Sequence, residues 1–209
     1  MPEVTGQSPF IEFNKIARLS RECIVTEKID GTNAQVFIPD TGEMLFGSRS
    51  RWITPEADNY GFAAWGMAHK DELMKLGPGR HFGEWWGSGI QRGYGLPKGE
   101  KRFSLFNVSR WCVHGGVPKK IPQQDPRAEK YQDVLPECCG LVPVLLEGMF
   151  DTALIEGALS SLKLLGSVAS PGFMKPEGVV IFHVPSRIMF KKTIEGDNGK
   201  NHAYDKDSK

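Results

Sequence analysis

Long hydrophobic runs are missing from this chain of 209 residues. No stretch approaches the roughly 18 consecutive apolar residues needed to span a bilayer, and the longest candidate, Leu141 to Leu146, has the length of a core strand. The opening residues, Met1-Pro2-Glu3-Val4-Thr5-Gly6, lack a basic start followed by an apolar stretch, so no signal peptide is read there. A cytoplasmic protein without a membrane partner is expected. Charge of one sign is missing too, with 26 Lys+Arg against 25 Asp+Glu. No global basic field advertises nucleic-acid binding, so any such surface has to gather its cations on one face. Cysteine is scarce: Cys23, Cys112, Cys138 and Cys139 are too few for a disulfide scaffold and lack paired C-x-x-C spacing. Cys112, His114, Cys138 and Cys139 could in principle make a zinc site, although cysteine is commonly just a small buried hydrophobe. No internal repeat is visible.

What is present is 40% hydrophobic residues, which suits one globular domain or one with a small appendage. Short β-like runs alternate with turns. Glu22 to Ile29 and Ala34 to Ile38 are β-branched and apolar enough for strands, with Asp30-Gly31-Thr32-Asn33 as the turn between them. Met44 to Ser48, His81 to Trp86, Phe103 to Val108, Leu141 to Glu147, Gly178 to Val184 and Ile188 to Lys192 read as further strands. Asn59 to Leu76 is predicted to be a helix with Phe62, Trp65, Ala68 and Leu73 on its apolar stripe, stopped by Gly77-Pro78-Gly79. A second helix is expected from an Asp151 cap to about Leu165, with Leu154, Ala158, Leu162 and Leu165 inward. Gly87 to Lys101 reads as a mobile glycine-rich loop; it lacks the G-K-[ST] ending of a phosphate-binding P-loop. Pro118 to Pro136 reads as a surface excursion, and 196–209 as a flexible polar tail after a domain spanning 1–195. The order of elements predicts an α+β fold of mostly antiparallel sheets with flanking helices.

The most informative string is Thr26-Glu27-Lys28-Ile29-Asp30-Gly31-Thr32-Asn33. A lysine at a strand end before a tight polar turn is well placed for a nucleophile. Strand alternation sends Glu27 and Lys28 to opposite sides. A lysine attacks phosphorus only as the neutral amine, and the ordinary pKa is about 10.4, so a site that uses one must disfavour the charged form. Alone, the string reads more readily as an exposed lysine before an Asp-Gly hairpin turn.

Other strings follow in order. They are Ser48-Arg49-Ser50-Arg51, Phe82-Gly83-Glu84-Trp85-Trp86, Phe103-Ser104-Leu105-Phe106-Asn107-Val108, Lys175-Pro176-Glu177-Gly178-Val179-Val180-Ile181 and Met189-Phe190-Lys191-Lys192-Thr193. Together with Lys28-Ile29-Asp30-Gly31 they resemble, over Glu27 to Lys192, the motif series of the covalent nucleotidyltransferases, and within them the ATP-dependent RNA-ligase branch. The resemblance implies an ATP-grasp-like nucleotidyltransferase domain. Lys28 would carry AMP. Glu27 would help recognise adenine, Ile29 would belong to the same nucleotide-binding set, and Asn33 would orient a phosphate or a nucleic-acid end. Arg49, with Arg51 second, would contact phosphate, since an arginine fork suits that task. Glu84 would face ribose or metal. Phe106, or equally Phe103, would stack on the purine. Glu177 would hold Mg²⁺ or Mn²⁺, and Lys191 or Lys192 would grip the α-phosphate; the two are adjacent, so at most one points into the pocket, and Lys191 is favoured. Arg92 is a candidate contact to RNA phosphate.

The implied reaction joins a 5′-phosphate end to a 3′-hydroxyl end through lysyl-AMP, with nucleic acid, RNA above all, as partner and no protein partner evident. Related alternatives are a DNA ligase or a capping-type guanylyltransferase, but only 17 residues follow Lys192, too few for the OB domain those usually carry. An alternative of another class is a non-catalytic nucleotide- or RNA-binding module.

Overall fold

The computed structural model describes residues 11–113, 117–118 and 135–196. Almost all of the expected surface excursion, the tail beyond Gly196, and His114 of the possible zinc set lie outside the described residues.

Two sheets organise the chain. β1 (Glu22–Lys28) is central in the first, flanked by β10 (Val144–Met149) and β11 (Gly178–His183), with β12 (Ile188–Thr193) at the edge beyond β11. The second runs in the order β4 (Trp52–Ile53), β3 (Leu45–Gly47), β2 (Thr32–Ile38), β5 (Gly79–Gly87), β6 (Lys101–Leu105), β9 (Cys139–Leu141). A short ladder joins β7 (Cys112–Val113) to β8 (Val117–Pro118). Every pairing is antiparallel except β6 with β9. The architecture is the expected α+β one.

Alternation along the strands divides the apolar residues into three layers. Ala34, Val36 and Ile38 of β2, Trp85 of β5 and Phe103 and Leu105 of β6 pack behind the larger sheet against Phe62 and Ala63 of α1 (Phe62–Ala68) and Leu73 of α2 (Lys70–Leu73). Phe62 lies 4.9 Å from Phe103, 5.4 Å from Trp85 and 6.0 Å from Phe46, ring centre to ring centre. Burying a ring of this size contributes about 1.5–3 kcal/mol. Cys23 and Val25 of β1 with Val179 and Ile181 of β11 pack behind the smaller sheet against Ile155 and Leu162 of α4 (Thr152–Leu165). Ile29, Trp86, Tyr94, Val108 and Val142 fill the space between the sheets.

Several local expectations change. The single helix over Asn59 to Leu76 is broken into α1, α2 and a 3-10 turn, Met74–Leu76. The Asp58 carboxylate accepts from the N–H groups of Asn59, Ala63 and Ala64, so the helix opens only at Phe62, after the left-handed Tyr60 and Gly61. His69 ends it, its N–H shared between the carbonyls of Trp65 and Gly66. Ala68 is exposed, and Ala63 and Gly66 take the inward places. The Asp151 cap holds as expected, accepting from Ala153 N–H at 2.7 Å, but the buried stripe of α4 centres on Ile155 and Leu162 while Leu154 and Leu165 face out. The strand expected over Phe103 to Val108 stops at Leu105; Val108 opens α3 (Val108–Trp111). The loop after β5 is pinned rather than loose, because Ile90 and Tyr94 are fully buried.

Candidate active site

Lys28 is the last residue of β1, where the sheet opens into the space between the two sheets. Register decides what shares its face, because directly opposed residues of an antiparallel ladder point the same way. Lys28 opposes Gly178, and Gly178 opposes Thr193; two residues back, Thr26 opposes Val180, and Val180 opposes Lys191. Lys28, Thr26 and Lys191 therefore lie on one face. Lys192 opposes Val179 on the other face, with α4, where it pairs with Glu156. The Lys191 side chain is exposed and makes no hydrogen bond or ion pair with the described residues.

The Lys28 ammonium donates to Glu177 at 2.5 Å, with the two side chains 24% and 17% exposed. Glu177 immediately precedes β11, so its position follows from the Lys28–Gly178 register. Across the cleft, Glu84 on β5 opposes Asn33 on β2. It accepts from the Gly31 N–H at 3.0 Å and the Asn33 amide at 3.1 Å. Gly31 passes so close that a Cβ there would stand 2.5 Å from the Trp85 carbonyl and 2.8 Å from Trp86 Cβ. The Asp-Gly turn is thus needed for approach to the Glu84 strand, beyond its turn preference. Burial pushes the Glu84 carboxyl up to about 7; Lys28 and the Gly31 N–H oppose the shift, and the charge of Glu177 adds to it.

The other nominated residues separate clearly. Phe106 lies just beyond β6, half-buried in the inter-sheet layer with Ile29 and Trp86, whereas Phe103 is fully buried on the opposite face of the sheet against Phe62 and Trp65. Only Phe106 is available to a ligand in the cleft. Ile29 is buried in the same layer. Arg49 is exposed and bonds to none of the described residues, while Arg51 donates to the Ala57 carbonyl at 3.1 Å, bracing its own turn. Glu27 is 1% exposed and points away from Lys28. It accepts from Ser167 Oγ at 2.6 Å and from the N–H groups of Val168 and Ala169 at 2.8 and 2.9 Å. Its side chain is held by the segment after α4, so the expected part in adenine recognition has no free carboxylate behind it. Arg92, nominated for RNA phosphate, is engaged within the fold. Its Nε donates to Asp30 at 2.9 Å, Nη1 to the Lys175 carbonyl at 3.2 Å and Nη2 to Glu195 at 3.0 Å.

The sequence reading missed Tyr94. Its hydroxyl accepts from the Asp30 N–H at 2.9 Å and lies 3.5 Å from the Lys28 carbonyl, and its ring packs 4.6 Å from Phe173. An aromatic between two glycines, Gly93-Tyr94-Gly95, was the available signal: a large side chain in a backbone built for sharp turns is an anchor. Ser167 was also missed; nothing in its neighbours marks it as the partner of a glutamate 140 residues away.

The donor set suits a hard divalent cation. Glu177 and Glu84 face one cleft, and a cation there would offset both the burial that chiefly raises Glu84 and the smaller repulsion from Glu177. Among the described residues no three His, Cys, Asp or Glu side chains gather into a closed cage. Magnesium needs none, since one or two carboxylates with water and phosphate oxygens complete its shell. The Cys138 and Cys139 thiols sit together, 3.8 Å apart, away from this set at the β9 edge. No helix among the described residues is long and apolar enough to cross a membrane.

Comparison with known proteins agrees with the fold. No curated protein sequence matches the chain. Solved structures of Naegleria gruberi RNA ligase share its fold. An apo variant has TM-score 0.54 and 19% identity over 83% of this chain and 50% of that one. A variant with AMP and Mn has TM-score 0.54 and 19% identity, covering 83% and 49%. A variant with ATP and Mn has TM-score 0.52 and 17% identity, covering 82% and 48%. The present chain thus spans about half the length of the solved structures it matches. A family model for RNA ligase matches residues 21–194, from the start of β1 to the end of β12. The chain belongs to the RNA ligase family.

Proposed function

We propose that this protein is an ATP-dependent RNA ligase that works through AMP bound covalently to Lys28. The observation that carries the reading is the Lys28–Glu177 contact at 2.5 Å, on a sheet face that also bears Lys191 and looks toward Glu84. A module that only binds nucleotide has no need of an amine held in this way. The Naegleria structures with AMP or ATP and Mn support the choice of nucleotide and metal class.

In the first step the Lys28 ammonium gives a proton to Glu177 or to water, and Nζ attacks the α-phosphorus of ATP. An N–P bond forms, the bond to the β-phosphate oxygen breaks, and pyrophosphate leaves. In the second step a 5′-phosphate oxygen attacks the same phosphorus and frees the amine. In the third a 3′-hydroxyl attacks the activated 5′-phosphate and releases AMP. Each step builds negative charge on phosphate oxygens, so positive groups held in advance lower its barrier. Among the described residues, Lys191 and Arg49 are exposed cations left to meet those oxygens. Asn33 stands where it can orient a phosphate, its amide already turned toward Glu84. Phe106 offers the ring for the adenine. Glu177, with Glu84, would hold Mg²⁺ or Mn²⁺, which when bound supplies charge stabilisation on phosphate oxygens.

Incubation with ATP labelled at the α-phosphate should leave label on the denatured protein, and labelled GTP should not. Lys28→Ala and Lys28→Arg should both abolish labelling, because a guanidinium keeps its proton at ordinary pH. Label surviving in either variant would end the assignment. Sealing of a nicked RNA duplex, a nicked DNA duplex and free single strands, run side by side, defines the ends that are joined.

A further inference from the structure

The segment that carries Lys28 lies far in sequence from the β11–β12 pair that carries Glu177 and Lys191, yet all three meet on one side chain. Asp30 is two residues after Lys28, Lys175 two before Glu177, and Glu195 four after Lys191. Arg92 donates to all three: Nε to Asp30, Nη1 to the Lys175 carbonyl and Nη2 to Glu195. It stands on the loop that leaves β5, the strand of Glu84. We infer that Arg92 is a positioning residue for the adenylylation step, a clamp that sets the Lys28 amine against Glu177 and Lys191. This deepens the proposed ligase reading and rests on it.

The loop is built to hold that guanidinium still. Gln91 and Tyr94 both adopt left-handed backbone, with φ of 43° and 51°, a conformation that side-chain-bearing residues keep only when their surroundings impose it. The surroundings are the burial of Ile90 and Tyr94, the Tyr94 hydroxyl on the Asp30 N–H, and the Tyr94 carbonyl, which accepts from Ser170 Oγ at 2.8 Å. The Lys28–Asp30 turn is therefore gripped from two sides by one loop. A planar fork with fixed donor directions spans three acceptors; an ammonium presents one point of charge and cannot. Arg92 also neutralises Asp30, which would otherwise add a carboxylate beside the reacting phosphate.

The test is single-turnover formation of lysyl-AMP at varied ATP in the absence of RNA, for wild type, Arg92→Lys and Arg92→Gln. We expect the rate constant at saturating ATP to fall about 100-fold in both, the size of effect a small misplacement produces. The ATP concentration giving half the maximal rate should move less than about threefold, which separates positioning from nucleotide binding. An unchanged rate constant overturns the clamp. So does full activity in Arg92→Lys. A contact to RNA phosphate would show instead as an intact first step with weaker, more salt-sensitive RNA binding. If both variants fail to fold, Glu195→Ala removes only the most exposed arm, at a carboxylate 73% exposed. It should lower the rate constant several-fold in a folded protein, and no change contradicts the clamp. If wild type itself takes no label, the ligase reading fails. The clamp is then judged separately by amide hydrogen exchange, read by mass spectrometry, over the Lys28–Gly31 turn: exchange there should quicken severalfold in Arg92→Gln, and unchanged exchange overturns the clamp.

Discussion

Glu27 and Glu84 invite comparison, since both are buried glutamates on central strands, 1% and 7% exposed, and burial raises both carboxyls. Around Glu27 the protein supplies three close donors, a hydroxyl and two backbone N–H groups, all from residues 167–169. Around Glu84 it supplies two donors and leaves a second carboxylate, Glu177, facing it across the cleft. The first carboxylate is satisfied within the fold and fastens α4 to β1. The second retains electrostatic demand that the polypeptide does not meet, the condition expected where a cation and phosphates are to bind. Lys191 and Lys192 repeat the lesson one strand further on: one is held by Glu156 behind the sheet, the other is left for the cleft.

Removing the Glu27 side chain should have the largest effect on the fold. Glu27→Ala leaves Ser167 Oγ–H and the N–H groups of Val168 and Ala169 without their acceptor. At about 1–3 kcal/mol for each stranded donor, it should lose at least about 3 kcal/mol or fail to fold, read from denaturant unfolding. Glu27→Gln, which keeps one acceptor oxygen, should lose less. Equal stability of Glu27→Ala and wild type would break the contrast.

Glu84→Gln should go the other way. The folded carboxyl binds its proton up to about 7 against an ordinary 4.5, so the folded state holds more protons than the unfolded one between those values. Stability of the protein without nucleotide or metal should therefore fall as pH rises through that window, and stay low above it. The variant should be more stable than wild type at pH 8, by up to about 3 kcal/mol, and should lose the slope. It should also form lysyl-AMP more slowly, a gain in stability with a loss in activity. A Glu84→Gln protein destabilised at pH 8 would place Glu84 with Glu27 among the structural carboxylates.

Lys191→Ala should lower the rate of lysyl-AMP formation about 100-fold, the loss typical of a preorganised transition-state donor, with little change in unfolding midpoint. Lys192→Ala, which breaks a partly exposed ion pair with Glu156, should leave that rate near wild type and change stability by less than about 1 kcal/mol. The reverse pattern would mean the register argument names the wrong lysine.

Local chemistry was legible in the sequence, and long-range placement was not. The strand–turn–strand around Asp30-Gly31 and the Asp151 cap follow from residues adjacent in the chain; the cap stands as read, while Thr32 and Asn33, read as turn, already open β2, and the two strands enter different sheets. Adjacent lysines can be said to face opposite ways, but only pairing of β12 with β11 and of β11 with β1 says which shares the face of Lys28. Phe103 and Phe106 have the same difficulty, resolved by the end of β6 at Leu105. Arg92 was read as a surface cation because its three acceptors lie 62, 83 and 103 residues away in sequence. Where the first helix opens depends on where Asp58 aims its carboxylate, a choice that helical periodicity does not contain.

The most direct test of the central claim is to incubate the intact protein with ATP and a divalent metal, digest it and locate AMP by mass spectrometry. The adduct should sit on the Lys28 amine, in a bond that acid cleaves and that pyrophosphate reverses. AMP bound only non-covalently, or attached to another lysine while Lys28 stays free, would contradict it.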